Sequence, residues 1–322
     1  MFSQYFHFNT LVWDWPIAIY LFVLGISSGI VLIAITAKNY LPTTGRLLFS
    51  RYAAVIAPMM VILGLSILIF HLTQPYDFWY VMIFYNHTSV MSLGVILFQI
   101  YFIALILWLI VIFHPWIYIR LQPLATRNTL FSVLWRTINR LSQLLIRHEK
   151  KLDRVLLLLA VLLGVYTGFL LSTLKSFPLL NNGLLPVLFL NSGVISGLAV
   201  LSLCCVWNSG TWQQHSHPLQ LLHHVELPLV LLEILLLVAF FFGLYAGGGQ
   251  KTLATTTALS GFWGGTFWIG VVGFGIMLPL LMRVMTDSLH SRQRIIAMSC
   301  IALVSVFIFR MFILYAGQIV TS

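Results

Sequence analysis

The sequence predicts an all-α, polytopic membrane protein with eight transmembrane helices in two four-helix bundles. Of its 322 residues, 60% are hydrophobic and 7% charged, with a mean hydropathy of +1.00. A soluble domain carries roughly 25% charged residues. The apolar runs are continuous, and each reaches the roughly 20 residues that cross a hydrocarbon core of about 30 Å as a helix. A transmembrane β-barrel would instead alternate polarity over segments of about ten residues. The basic residues gather in particular loops, as the orientation rule for helical membrane proteins requires.

The spans fall at about 15–37, 51–73, 88–113, 154–174, 184–206, 225–247, 257–282 and 295–318. The first opens at Asp14, set between Trp13 and Trp15, where an acid is favoured by the helix dipole and tryptophans suit the interface. It carries Gly25-Ile-Ser-Ser-Gly29, and the fifth span carries Gly193-Val-Ile-Ser-Gly197. Small residues four apart let helix backbones approach closely. The second span ends near His71. The fourth holds Tyr166-Thr-Gly168 and is followed by Lys175, while the eighth holds Tyr315-Ala-Gly317. Both pairs of motifs are four helices apart, which is the pattern of a parallel internal repeat. The predicted units are therefore 1–113 with 154–183, and 184–322, with 114–153 between the third and fourth spans. In that segment Arg136, Arg140 and Arg147 share one helical face, and Leu130, Leu134, Ile138, Leu141 and Leu145 share the other. This is the pattern of a basic amphipathic helix lying on the inner membrane surface.

The loops after spans 1, 3 and 7 hold 14 of the 17 Lys and Arg residues. Those loops are expected in the cytoplasm, with both termini and Asp14 on the outer side of the membrane. The first 13 residues carry no Lys or Arg, so the basic start of a signal peptide is not expected there. The net charge of +10 sits beside membrane spans, which points to anionic lipid rather than nucleic acid. Cys204, Cys205 and Cys300 all lie in apolar runs without a C-x-x-C pair. They read as buried hydrophobes, not as ligands of a metal or iron–sulfur cluster. His223 and His224 are adjacent, so they diverge by about 100° and do not suit a bis-histidine haem. No phosphate-binding glycine loop is present.

Ionisable groups inside a bilayer cost about 2.5–3.5 kcal/mol each on insertion scales and mark candidate functional sites. Asp14, His71 and Lys175 approach one level from three helices of the first bundle, with Tyr20 and Tyr166 beneath them. An acid, a histidine, tyrosines and tryptophans around an apolar slot suit a quinol, whose ring needs stacking and whose hydroxyls need proton acceptors. Asp14 and His71 are candidate proton acceptors, and Tyr20 a candidate partner of the ring oxygens. Trp13, Trp15, Tyr20, Tyr166 and Lys175 are candidates for holding the ring, though interfacial anchoring also accounts for the tryptophans and snorkelling for the lysine. In the second bundle Glu226 and Glu233 share a helix face, and Arg310 lies across from Glu233. These read either as a buried structural pair or as part of a proton path.

The stretches WDWPIAIYLFVLGISSG, FHLTQPYDFWYVMIFYNHTSVMSLG, LGVYTGFLLSTLKSFPLLNN, PVLFLNSGVISG and RMFILYAGQ resemble the NrfD/polysulfide reductase C family of membrane quinol subunits. The similarity runs from about residue 5 to the C-terminus. The resemblance implies eight helices in two bundles, no haem, and a quinone site near the periplasmic face. It implies electron transfer to a periplasmic ferredoxin-like iron–sulfur subunit. In the nitrite-reducing branch a multihaem cytochrome c follows, and the direction is menaquinol oxidation. The polysulfide reductase pattern has an asparagine and a histidine early in helix 1, where this chain has Ile17 and Tyr20. It has a histidine between two tryptophans where this chain has Asp14. Two other readings stay open: a secondary transporter built on Glu233 and Arg310, and a membrane anchor for another respiratory oxidoreductase, with or without proton translocation.

Overall fold

The computed structural model describes residues 6, 8, 10–41, 43–71, 75–86, 88–125, 139–207, 216–284 and 292–321. Eight helices are long and apolar enough to cross a membrane, and no strand occurs among the described residues. They are α1 (Trp15–Ala37), α2 (Thr43–His71), α3 (Val90–Ala125), α4 (Glu149–Ser172), α5 (Leu185–Trp207), α6 (Ser216–Ala246), α7 (Gly261–Gly265, continued by Thr266–Met277 and Leu278–Val284) and α8 (Arg292–Gly317). Several run past the expected spans because a helix continues through the interface once its polar end is in water. Thus α2 starts eight residues earlier than expected and takes in Arg46 and Arg51, and α3 continues to Ala125.

The helix at the centre is α1. Its most apolar window is 83% buried inside the protein, against 28% for α7. It packs against α2, α4, α5 and α8. The α1–α5 crossing is made by the two glycine motifs meeting each other. A Cβ on Gly29 would overlap the Gly193 carbonyl oxygen and lie 2.6 Å from its carbon, and one on Gly197 would lie 2.8 Å from Gly29 Cα. No side chain fits at this crossing, which is why the motif is built of glycine. The hydroxyls beside the crossing are spent within their own helices: Ser28 Oγ donates to Gly25 O at 3.0 Å and Ser196 Oγ to Gly193 O at 2.7 Å. Such back-bonding pairs a polar group where water is absent.

Two more likenesses link the halves. Pro58 lies inside α2 and Pro228 inside α6. Ser27 of α1 donates to Ala57 O at 2.9 Å, and Asn191 of α5 donates to Leu229 O at 3.2 Å, so each proline-containing helix is tied at a carbonyl next to its proline.

Other features have no sequence counterpart. A ten-residue helix, Gly249–Ala258, follows α6, framed by Gly248, Gly249 and Gly261 at positive φ of 65°, 54° and 63°. Twelve residues of α7, Thr266–Met277, are π-helical. A π segment of this length is rare, and the glycines within it tolerate the wider turn.

The expected amphipathic segment lies partly outside the described residues, including Leu130, Leu134, Arg136 and Ile138. Residues 139–147 form a helix with Arg140 and Arg147 exposed, tied to α3 by His114 Nε2 at 3.3 Å from Asn139 Oδ1. Cys205 is buried and Cys204 half-buried, but Cys300 is exposed on α8, contrary to the expectation of three buried cysteines.

Candidate functional site

The two ends of the bundle differ in chemistry. At the end where α1 finishes, Lys38 Nζ lies 2.7 Å from Asp153 Oδ2 and 3.0 Å from Glu149 Oε1, both on α4. Trp108 of α3 donates its indole N–H to Asp153 at 2.9 Å, and Lys38 sits 5.5 Å from that ring's centroid. Lys38, Asp153 and Glu149 answer one another, so they form a lock between α1, α3 and α4.

The end where α1 begins holds polar groups that are not answered. Tyr20 is 2% exposed and Tyr166 8% exposed. Tyr20 lies about 8 Å inside the start of α1, and Tyr166 about 9 Å inside the end of α4, at a rise of about 1.5 Å per residue. Phe98 of α3 stands between them, edge-on to both, at centroid distances of 6.1 Å and 5.6 Å. Two glycines make room. The Tyr166 ring tip lies over Gly94 of α3, where a Cβ would be 2.7 Å from Tyr166 Cε2 and would overlap the hydroxyl. Gly64 of α2 faces Tyr20, with Cδ2 3.6 Å from the site of a Cβ. Neither hydroxyl makes a hydrogen bond among the described residues. Four helices thus place two unpartnered phenols at one depth.

The other expected residues are distributed around this cluster. Asp14 is half-buried at the N-cap of α1 with φ −93° and ψ −179°, and its carboxylate makes no capping bond. That carboxylate and the Tyr315 hydroxyl of α8 lie in each other's field. Six residues separate Asp14 from Tyr20, about 120° around the helix. Tyr20 therefore faces α2 and α3, while Asp14 faces α8. Trp13 packs on the core and Trp15 is 56% exposed. His71 is exposed at the last residue of α2, and Lys175 is exposed beyond α4. The structure brings Tyr20 and Tyr166 together and leaves the other candidates at the same end without direct contact to them.

Glu233 and Arg310 do not form the ion pair that their places in the sequence suggested. Both are buried, at 6% and 0% exposure, and each lies in the other's field. The guanidinium instead turns to α5: Nη2 donates to Phe189 O at 2.9 Å, and the group lies 3.6 Å over the Phe189 ring. Its Nε and Nη1 find no partner among the described residues. The ring face and the carbonyl satisfy only part of the planar cation. Glu226, nearer the Lys38 end, pairs with His223 at 3.1 Å.

Sequence reasoning missed Tyr315 as a neighbour of Asp14, and Gln318 altogether. Gln318 is fully buried just after α8. The available signal was a glutamine directly after Tyr315-Ala-Gly317, at the end of an apolar run.

The family model described as "Polysulphide reductase, NrfD" matches residues 3–322. The chain belongs to the NrfD family. This NrfD-family protein is 44% identical over 321 residues to Protein NrfD of Escherichia coli, covering 98% of each. It is 44% identical to a Protein NrfD homolog of Haemophilus influenzae, again over 98% of each. With the C subunit of polysulfide reductase from Wolinella succinogenes it shares 36% identity over 97% of its own length and 96% of that subunit. Together with eight apolar helices, the family membership makes this a multi-pass membrane protein.

Proposed function

We propose that the protein is the quinol-oxidising membrane subunit of a respiratory oxidoreductase. In this reading it passes electrons from menaquinol to a periplasmic, ferredoxin-like iron–sulfur partner, and from there through a multihaem cytochrome c towards nitrite reduction to ammonium. The observation that carries the reading is the pair of buried side chains around Phe98, Tyr20 and Tyr166, whose hydroxyls have no hydrogen-bond partner among the described residues. A lipid-borne hydroquinone brings what that arrangement lacks: a flat apolar ring for the aromatic walls, and oxygens at both ends for the two phenols. The similarity to proteins named for NrfD and for polysulfide reductase supports the same class of complex.

The chemistry asked of the residues is limited. Oxidation of a hydroquinone releases electrons and the protons of its two hydroxyls. Tyr20 and Tyr166 orient the oxygens. Asp14 and His71, at the same end and nearer water, take the protons. Trp13, Trp15 and Lys175 hold that rim at the interface. The first four helices form the quinol-binding bundle and α5–α8 its repeat. The Lys and Arg distribution supports a periplasmic position for the Asp14 end and both termini, in the inner membrane.

The test is a fluorescence titration of the full-length protein in nanodiscs with a quinol-analogue inhibitor. Saturable binding of about one per molecule, weakened by Tyr20→Phe and Tyr166→Phe, is expected. No binding by the protein alone or in its assembled complex would sink the reading.

One observation favours a second reading. Arg310 and Glu233 are buried without a bond between them, and intramembrane ions of this kind mark substrate or proton paths in transporters. Substrate uptake by vesicles containing this protein alone, abolished by Arg310→Met, would favour that alternative.

A further inference from the structure

The start of α1 is held by the end of α8. An aspartate at an N-cap ordinarily spends its carboxylate on the backbone N–H groups of the first turn. Asp14 does not. The anchoring falls to Gln318, some three hundred residues away. Its Oε1 accepts from Val12 N at 2.8 Å and Trp13 N at 3.0 Å. Its Nε2 donates to Trp13 O at 3.0 Å and to Leu314 O at 2.9 Å. Its own carbonyl accepts from Thr10 Oγ1 at 2.7 Å. Both amide donors and both acceptor positions are filled, in a side chain with no solvent exposure. One turn earlier on the same helix, Tyr315 is wedged between Trp263, stacked at 5.0 Å, and Phe6, edge-on at 5.3 Å. That wedge fixes the Tyr315 ring at the end of α8, next to Gln318.

We propose that Gln318 is a positioning residue for Asp14: it clamps the backbone of residues 12 and 13 so that the carboxylate stays free of the helix cap, ready to take a proton released at the quinol site. The inference rests on the quinol reading above. It assigns to α8 a part in a site whose remaining members come from the first four helices. A fully bonded amide suits this work because it holds a backbone from both its N–H and its C=O side. A charged side chain in its place would leave one side of that backbone unanswered.

The test is a double-mutant cycle in the full-length protein within its assembled complex, in native membranes. Asp14→Asn, Gln318→Leu and the double variant are compared for quinol-analogue binding and for quinol oxidation. Gln318→Leu is expected to lower kcat about tenfold, the worth of a hydrogen-bonded alignment, while KM changes less than about twofold. The double variant is expected to be no slower than Asp14→Asn alone, because both changes disable the same group. Losses that multiply would overturn the proposal and leave Gln318 a packing residue. Should Gln318→Leu fail to accumulate, Gln318→Glu serves in the same cycle, since it keeps the acceptor for Val12 N and Trp13 N. Its loss must likewise vanish in the Asp14→Asn background. A parent complex that neither binds the analogue nor oxidises quinol would fail the quinol reading itself. Normal quinol oxidation with multiplying losses would fail only the role of Gln318.

Discussion

Adding one methyl group at Gly94 tests the site without replacing any residue proposed to meet the substrate. The Cβ of Gly94→Ala would overlap the Tyr166 hydroxyl and ring tip and lie 2.7 Å from Cε2. Ordinary carbon contacts lie at about 3.5–4.0 Å, so the ring end must retreat by about 1 Å or more. Overpacking of this kind costs about 1–3 kcal/mol. Replacing glycine by alanine inside a helix returns about 0.8–1.0 kcal/mol. The net cost is thus about 0–2 kcal/mol, and the protein should accumulate. Function should suffer more than stability, because a misplacement of about 1 Å in a reacting group costs up to about 100-fold in rate. The expected result is normal abundance, quinol-analogue affinity weakened about tenfold or more, and quinol oxidation lowered by up to about 100-fold. Tyr166→Phe should not rescue Gly94→Ala, since the clash includes ring carbons. Tyr166→Leu should restore packing, seen as recovered thermal stability, but not binding. Unchanged binding in Gly94→Ala would refute the placement of the substrate against Tyr166.

Asp14→Asn should lower quinol-driven turnover with assembly intact, measured as complex recovered per membrane against oxidation rate. Unchanged turnover would remove Asp14 from the mechanism. Lys38→Met should destabilise the detergent-solubilised protein by about 3 kcal/mol, because Asp153 is left as a largely buried, uncompensated carboxylate. Lys38→Met with Asp153→Leu should recover much of that loss in a thermal melt. Gly29→Ala should separate α1 from α5 and lower accumulation in the membrane, whereas Gly265→Ala, where a Cβ meets nothing within 4 Å, should not. Equal accumulation of the two would contradict the close crossing.

The sequence made the helices legible because run length in a bilayer is set by thickness, and each of the eight apolar runs corresponds to a helix. It also showed which small residues matter, since Gly25–Gly29 and Gly193–Gly197 do meet at the α1–α5 crossing. The depth of Tyr20 and Tyr166 followed from counting residues along their spans. Partner choice did not follow. Arg310 and Glu233 were visible as buried ions, but the guanidinium took a carbonyl and a ring on α5 that no spacing rule points to. Lys38 read only as a marker of orientation, because its bonds to Asp153 and Glu149 depend on how α1 and α4 stand side by side. Asp14 could be placed at the end of α1 but not beside α8, since the azimuth of a helix terminus is fixed by tertiary packing. The π-helical stretch of α7 left no signature beyond its glycines.

The central place of α1 has a consequence for biogenesis. Membrane helices leave the ribosome in order, so α1 is threaded into the bilayer before any of the neighbours that will enclose it exist. The helix that ends with the least lipid contact must first live wholly in lipid. A mean hydropathy of 2.5 over its best window lets it do so. Ser28, which later sits beside the crossing, is bonded to its own helix backbone, so it needs no partner helix while it waits. The glycine face of α1, by contrast, gains nothing until α5 arrives. That face commits the protein to closing around α1 only after more than half of it has been made.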